Sequence, residues 1–260
     1  MRYKGYRITI LILAALIVIE TLLVIKLGIK QAGKITKVTA PIAKIAIVID
    51  DWGYNVNNLD ILNQIRYPLT ASVLPNLNYT NEVAQQLHER GVEIMLHLPM
   101  EPHEKYRLEE NTIMTSMDEK TVNEIISQDL ANISYVKGVS NHMGSKATED
   151  PRIMSIVFKV LKSRNLYFLD SFVSSESICF NLAKKIHLGF ARRGVFLDNN
   201  EEPEYIRKQL EKLKKTAKSY GQAIGIGHDH KVTLEVLKEE MPRLEKQGYK
   251  FVFVSQMIKK

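Results

Sequence analysis

The chain has a single cysteine, Cys179, so no intrachain disulfide can form and stability must come from a packed core. This does not exclude a place outside the cytoplasm. A lone cysteine before Phe180 reads as a small buried apolar residue, not a nucleophile. No glycine-rich phosphate loop follows the first predicted strand, which weighs against a doubly wound nucleotide-binding sheet. The formal net charge is +7. The basic residues are spread over predicted helix faces, as with Lys208, Lys212 and Lys215, and no aromatic-interleaved basic patch accompanies them. No nucleic-acid partner is expected on that pattern. Attraction to anionic lipid or to a cell-wall polymer fits it. Ser171 and Ser255 lack a His–Asp partner pattern, which disfavours a serine hydrolase.

Residues 1–7 are short and basic, with Arg2, Lys4 and Arg7, and residues 8–25 are almost wholly apolar apart from Thr9, Glu20 and Thr21. That run is near the lower limit of the ~20 residues needed to span a bilayer. A basic start followed by an apolar core is the pattern of a signal anchor or a secretory signal. No small-x-small cleavage site follows. The expectation is therefore an uncleaved membrane-anchor helix within residues 1–30, with a cleaved signal as second choice. The large domain then lies outside the cytoplasmic membrane. Residues 31–43 form a polar, lysine-rich linker, and residues 44–260 form the globular domain.

From residue 44 the chain alternates between short apolar runs and amphipathic stretches. Strands are predicted at 45–49, 69–74, 92–96, 138–140, 166–169, 194–197, 223–226 and 251–254. Helices are predicted at 57–66, 78–90, 151–164, 177–186, 203–220 and 232–247, with another running from a cap at Ser116 or Asp118 to about Tyr135. A long polar loop covers 99–117. Repeated β-α units imply parallel strands with right-handed crossovers. The fold class is α/β, best read as one (β/α) barrel, with a doubly wound sheet as runner-up.

The residues that carry chemistry share one position. Asp50 and Asp51, His97, Asn141 and His142, Asp170, Asp198 and His228 all follow directly on a predicted strand. In a (β/α) barrel those places meet at the carboxyl-end face, where active sites lie. Two histidines and an aspartate suit a divalent ion, zinc first, with Co²⁺ or Mn²⁺ also compatible. Such an ion lowers the pKa of water and polarises a carbonyl. A second carboxylate can take a proton, and a histidine can protonate a leaving group. Together these outline metal-assisted hydrolysis.

Five stretches carry a resemblance. They are Ile49-Asp50-Asp51-Trp52-Gly53, Leu96-His97-Leu98-Pro99-Met100-Glu101-Pro102, Asn141-His142-Met143-Gly144-Ser145, Phe168-Leu169-Asp170-Ser171 and Ile224-Gly225-Ile226-Gly227-His228. In this order they resemble the divergent polysaccharide deacetylase family, over nearly all of residues 44–258. The resemblance implies a distorted (β/α)7-type barrel and relatedness to metal-dependent carbohydrate deacetylases. It makes Asp50 the general base, Asp51 and His97 metal ligands, and His228 the general acid. The family's second motif histidine would fall at position 101, where this chain has Glu101. Either Glu101 binds the metal or, as preferred here, His142 supplies the third ligand. No match to the broader family's arginine motif is evident. Glu101 is then a candidate substrate contact, with a loop salt bridge as its alternative. Asn141 joins it as a substrate contact. Asp170 orients a ligand or caps a turn, and Trp52 stacks on a sugar or covers the barrel mouth. Asp198 is expected to cap the segment after it. The implied partner is a carbohydrate polymer of the cell envelope or an exported glycan. The implied activity is acetyl removal, and the alternative is a glycan-binding protein that keeps the cleft without turnover.

Overall fold

The structure, a computed structural model, describes residues 12, 13, 15–26 and 40–258. The chain divides into two compact units, Met1–Ala40 and Pro41–Lys260. In the first, residues 15–26 are helical. No helix among the described residues is long and apolar enough to cross a membrane. The expected span at 8–25 falls partly outside those residues, so the anchor expected within 1–30 gains no support here.

The second unit alternates strand and helix as the sequence predicts. β1 (Ala43–Trp52) leads through a four-residue helix, α1 (Leu59–Leu62), to β2 (Thr70–Val73). There follow α2 (Thr80–Glu89), β3 (Glu93–Met100), α3 (Glu119–Asn132) and β4 (Val136–Met143). Next come α4 (Pro151–Ser163), β5 (Tyr167–Asp170), α5 (Cys179–Ile186), β6 (Phe190–Arg192) and β7 (Val195–Phe196). The chain continues with α6 (Pro203–Tyr220), β8 (Gln222–His228), α7 (Lys231–Lys246) and β9 (Tyr249–Phe251). Two helix starts follow their capping chemistry. Asp118 accepts from Thr121 N, and Asp150 accepts from Arg152 N and Ile153 N, with Pro151 in the first helical position.

The strands form one parallel sheet in the order β6-β5-β4-β3-β2-β1-β8-β7, with β9 beside β1. β6 and β7 are two halves of one bent segment. β6 pairs with β5 and β7 pairs with β8. Between them, Arg193 N donates to Asp170 O at 2.9 Å and Gly194 N donates to Ile224 O at 2.8 Å. One stretch of chain thus joins both ends of the sheet, and the sheet curls into a parallel barrel. The strand expected at 194–197 is the second half of this segment. Its first half is three residues long and ends in Arg192, too short for a period of two to show.

Strand residues alternate between two apolar layers, as a period of two requires. Ile45, Ile47 and Ile49 of β1, with Ile94 and Leu96 of β3, pack outward against the helices. Ala46, Val48, Met95, Leu169, Ile224 and Ile226 pack inward and fill the barrel. The floor is closed by Val252, Val254 and Met257, which follow β9. Counting two further along each strand from this inner layer gives Asp50, His97 and His228. The apolar plug therefore ends where the polar mouth begins.

Candidate metal centre

The inner faces of β1, β3 and β4 deliver the central group. Asp51 Oδ1 lies 3.2 Å from His97 Nε2 and 3.0 Å from His142 Nδ1. The two imidazole rings stand 5.0 Å apart and 72° to one another. Among the described residues this is the group of three His, Cys, Asp or Glu side chains that could hold a metal ion. Neighbours on a strand normally face opposite ways, so Asp50 and Asp51 should not serve one site. A break in the β1–β2 register between Ile49 and Trp52 removes that obstacle, and Asp51 takes a left-handed backbone with φ of 66°. The extra residue turns Asp51 to the mouth beside Asp50 and sends Trp52 back to the outer layer.

The donors fit a divalent ion. Two ligand atoms about 2.0–2.2 Å from a common centre at a tetrahedral angle are roughly 3.4 Å apart, close to the two spacings here. Two imidazoles and one carboxylate are a borderline donor set that leaves further positions open. The three side chains also interact with one another directly. Burial pushes the Asp51 carboxyl up, but hydrogen bonds from His142 and His97 outweigh it and hold it well below the usual range. Burial pulls His97 down, yet the Asp50 charge and the Asp51 hydrogen bond leave it raised. His97 Nδ1 is 2.7 Å from Ser140 Oγ, which orients the ring.

Asp50 lies on the other side of His97, with Oδ2 3.6 Å from Nε2. Burial raises its carboxyl above the ordinary value, opposed by the charges of His97 and His228. Its Oδ1 is buried without a partner, as is Nε2 of His142. His228 ends β8 next to Asp50, its Cα partner across the ladder. The expected capping role of Asp198 is not what the structure shows. Its carboxylate accepts from His228 N at 2.7 Å, faces His228 Nδ1 at 2.8 Å and accepts from Thr233 Oγ1 at 2.7 Å. Burial would lower the His228 pKa, but Asp198 outweighs it and raises it to about 9.

The remaining expected residues lie elsewhere. Glu101 Oε1 is 2.6 Å from Lys146 Nζ, and its Oε2 accepts from Thr115 N at 2.5 Å. It pins the 101–117 loop and stays outside the ligand group. Asn141 donates to Met143 O and accepts from Ser171 N, so it ties the ends of β4 and β5 together. Asp170 accepts from Phe172 N and Ser177 Oγ, which shapes the turn after β5. Trp52 is fully buried and offers no ring face to a solute.

Two residues at the mouth were not singled out from the sequence. Arg193, at the bend between β6 and β7, donates to Ser171 O and Phe172 O at 2.5 and 2.6 Å. Its guanidinium carbon sits 3.6 Å from the centroid of the Phe196 ring, and that ring stacks on His228 at 5.9 Å. Burial lowers Arg193 to about 10, while the charges of Asp170 and Asp50 oppose the fall. No local pattern marks it, because its partners come from other strands. Asp229 follows His228 and receives the Asn58 side-chain amide at 2.9 Å. Burial raises it to about 7, opposed by the Asn58 hydrogen bond and assisted by the Asp51 charge.

The model of a family described as divergent polysaccharide deacetylase matches residues 47–258. The uncharacterized protein YibQ of Escherichia coli (strain K12) is 36% identical over 196 residues, 75% of this chain and 61% of that protein. The chain thus spans less than two thirds of that relative's length. Among solved structures, the uncharacterized protein ATU2773 from Agrobacterium tumefaciens C58 superposes with a TM-score of 0.81 at 22% identity, covering 85% of this chain and 91% of that one. A family 4 acetyl xylan esterase from Clostridium thermocellum, solved in complex with a cobalt ion, superposes with a TM-score of 0.50 at 17% identity. That match covers 82% of this chain and 88% of the esterase. At these identities the structural likenesses show a shared fold.

Proposed function

The chain belongs to the divergent polysaccharide deacetylase family, and from that membership and the Asp51–His97–His142 group we propose that it is a metal-dependent hydrolase. It removes acetyl groups from a carbohydrate polymer of the cell envelope or from an exported glycan. The observation that carries this reading is the placement of one carboxylate oxygen against two imidazole nitrogens, with a buried carboxylate and a carboxylate-held histidine alongside. The cobalt-containing acetyl xylan esterase of similar fold supports a metal in the site and acetyl as the group removed. Zinc is the first choice among borderline divalent ions for this donor set.

Asp51, His97 and His142 would hold the ion. When bound, it polarises the acetyl carbonyl and lowers the pKa of the attacking water. Asp50 takes a proton from that water. Its position beside His97, with one oxygen unpartnered, leaves it free to do so. His228 gives a proton to the departing nitrogen or oxygen. The Asp198 carboxylate keeps it charged at neutral pH and fixes its ring. Arg193 and Phe196 pack against that assembly from the side. A place outside the cytoplasmic membrane belongs to the same reading. It rests on the basic start and the apolar residues 8–25.

The test uses the full chain loaded with zinc and assayed for acetate release from acetylated oligosaccharides. Release should stop on chelation. Asp50→Asn should lower it by ~10²–10⁴-fold, the usual worth of a general base, while metal content stays unchanged. A second reading, a glycan-binding protein without turnover, is favoured by Glu101, which stands where the broader family has a ligand and is locked to Lys146. Saccharide binding with no acetate release from the zinc-loaded chain would select it.

A further inference from the structure

Exposed tyrosines gather on one stretch of the mouth. Tyr54 follows β1, Tyr79 ends the loop between β2 and α2, and Tyr106 lies on the loop after β3. The three strands are neighbours in the sheet, and all three loops leave their carboxyl ends. The residues are 47%, 38% and 61% exposed. Bonds between the loops hold them together. Tyr79 N donates to Gly53 O at 3.2 Å, and the Tyr54 hydroxyl donates to Glu109 on the loop after β3. That loop is itself pinned. Glu101 N donates to Ile113 O at 2.9 Å and closes its base, and Ser145 Oγ donates to Glu104 Oε2 at 3.2 Å. Trp52, the ring expected to meet a sugar, is buried two residues before Tyr54.

Large rings left in water mark a recognition surface when they cluster. Tyrosine suits one, because its face is apolar, its hydroxyl is polar and few side-chain torsions are lost on binding. A pyranose ring is the matching ligand. Its C–H face covers an aromatic ring while its hydroxyls meet polar groups at the edge. Glu104, Arg107 and Glu109 supply such groups beside the tyrosines. An anionic polymer or an anionic lipid surface fits poorly, since Glu104, Glu109 and Glu110 outnumber Lys105 and Arg107 on that loop. The row begins three residues after Asp51, so a chain lying on it runs up to the candidate metal centre. We propose that Tyr54, Tyr79 and Tyr106 form a stacking platform for uncharged sugar rings on one side of the acetyl group attacked. The protein thereby selects a polymer over a single sugar. The platform deepens the deacetylase reading and rests on it for its ligand.

The experiment titrates acetylated glucosamine and acetylated xylose, each as monomer and as hexamer, into the zinc-loaded full chain by calorimetry. Acetate release is measured on the same sugars. A hexamer should bind more tightly than its monomer. Tyr54→Ala and Tyr106→Ala should each weaken hexamer binding by ~10-fold, as expected when a contact ring is truncated. The loss should appear in KM more than in kcat, and in the hexamer more than in the monomer. Tyr79→Ala should lose less, because Tyr79 is the least exposed of the three. Tyr54→Phe, which keeps the ring and drops the bond to Glu109, should keep most of the binding. Tyr220→Ala is the control. Tyr220 is 80% exposed and ends α6, at the opposite face of the barrel, and its variant should match the parent. If Tyr54→Ala and Tyr106→Ala bind both hexamers like the parent, or lose monomer and hexamer equally, the platform is wrong. The deacetylase reading then stands or falls on acetate release alone. If the parent releases no acetate but binds a hexamer, and that binding falls in both variants, the platform stands and the hydrolase reading fails. A parent that binds neither hexamer overturns the platform. Circular dichroism and zinc content of each variant separate these outcomes from loss of fold.

Discussion

Asp198 holds His228 by two bonds at once, accepting from its backbone N–H at 2.7 Å and facing its Nδ1 at 2.8 Å. The first bond fixes the strand end and the second fixes the ring, so one carboxylate sets both the position and the charge of the proposed acid.

This pair predicts a pH signature. The His228 pKa is raised in the folded protein to about 9 from an ordinary 6.5. Its contribution to stability is therefore complete below about 6.5 and lost as pH rises towards 9. Asp198 is lowered, with its own contribution present above the ordinary carboxylate value and lost only in acid. Metal-free protein should lose thermal stability between pH 6.5 and 9. In Asp198→Asn that loss should flatten, and the His228 proton-NMR titration should fall by ~1–3 units. An unchanged midpoint in the variant would mean that Asp198 does not hold the charge.

The ligand assignment predicts a graded series. His97→Ala, His142→Ala and Asp51→Asn should each reduce zinc affinity by more than about 100-fold, beyond the worth of partners behind the ligands. Metal content after gel filtration reads this directly. Retention of a full equivalent in His142→Ala would return the third ligand to open choice.

Glu101 is the counter-case. With both carboxylate oxygens engaged by Lys146 and Thr115, Glu101→Gln should leave zinc affinity within about twofold. Its effect should appear instead as easier proteolysis within residues 101–117, by ~1–3 kcal/mol of lost local stability. A large loss of zinc would make Glu101 a ligand after all.

Gly138 tests the barrel interior. A Cβ there would sit 2.4 Å from the Tyr167 ring, which is packed into the inner layer and donates to Glu93 Oε1 at 2.9 Å. Gly138→Ala should cost ~1–3 kcal/mol, seen as a lower melting temperature, because the ring is pinned at both ends. Gly221→Ala meets no atom within 4 Å, but its φ of 77° makes the substitution costly by backbone strain instead.

Much of this was legible one strand at a time. The alternation of apolar runs and amphipathic stretches gave parallel β-α units, because the two periods of two and 3.6 are local properties of the chain. Placing Asp50, His97, His142 and His228 at strand ends put them on one rim, since every strand of a parallel barrel ends there. The sequence also carried Ser140 in plain view, two residues before His142 and in step with the inward positions of its strand.

What the sequence alone determined, then, was the class of fold, the family and the side chains gathered at the mouth. Only the tertiary structure decided how they are used. It turned Asp51 towards Asp50 through a break in register and gave Asp198 to His228 instead of to a cap. It tied Glu101 to Lys146 and brought Arg193 to the mouth by bending one segment between two strands. Each of these depends on a partner far away in the chain. Propensity and periodicity act over a few residues, whereas a buried charge is settled by whichever opposite group the closed barrel sets beside it.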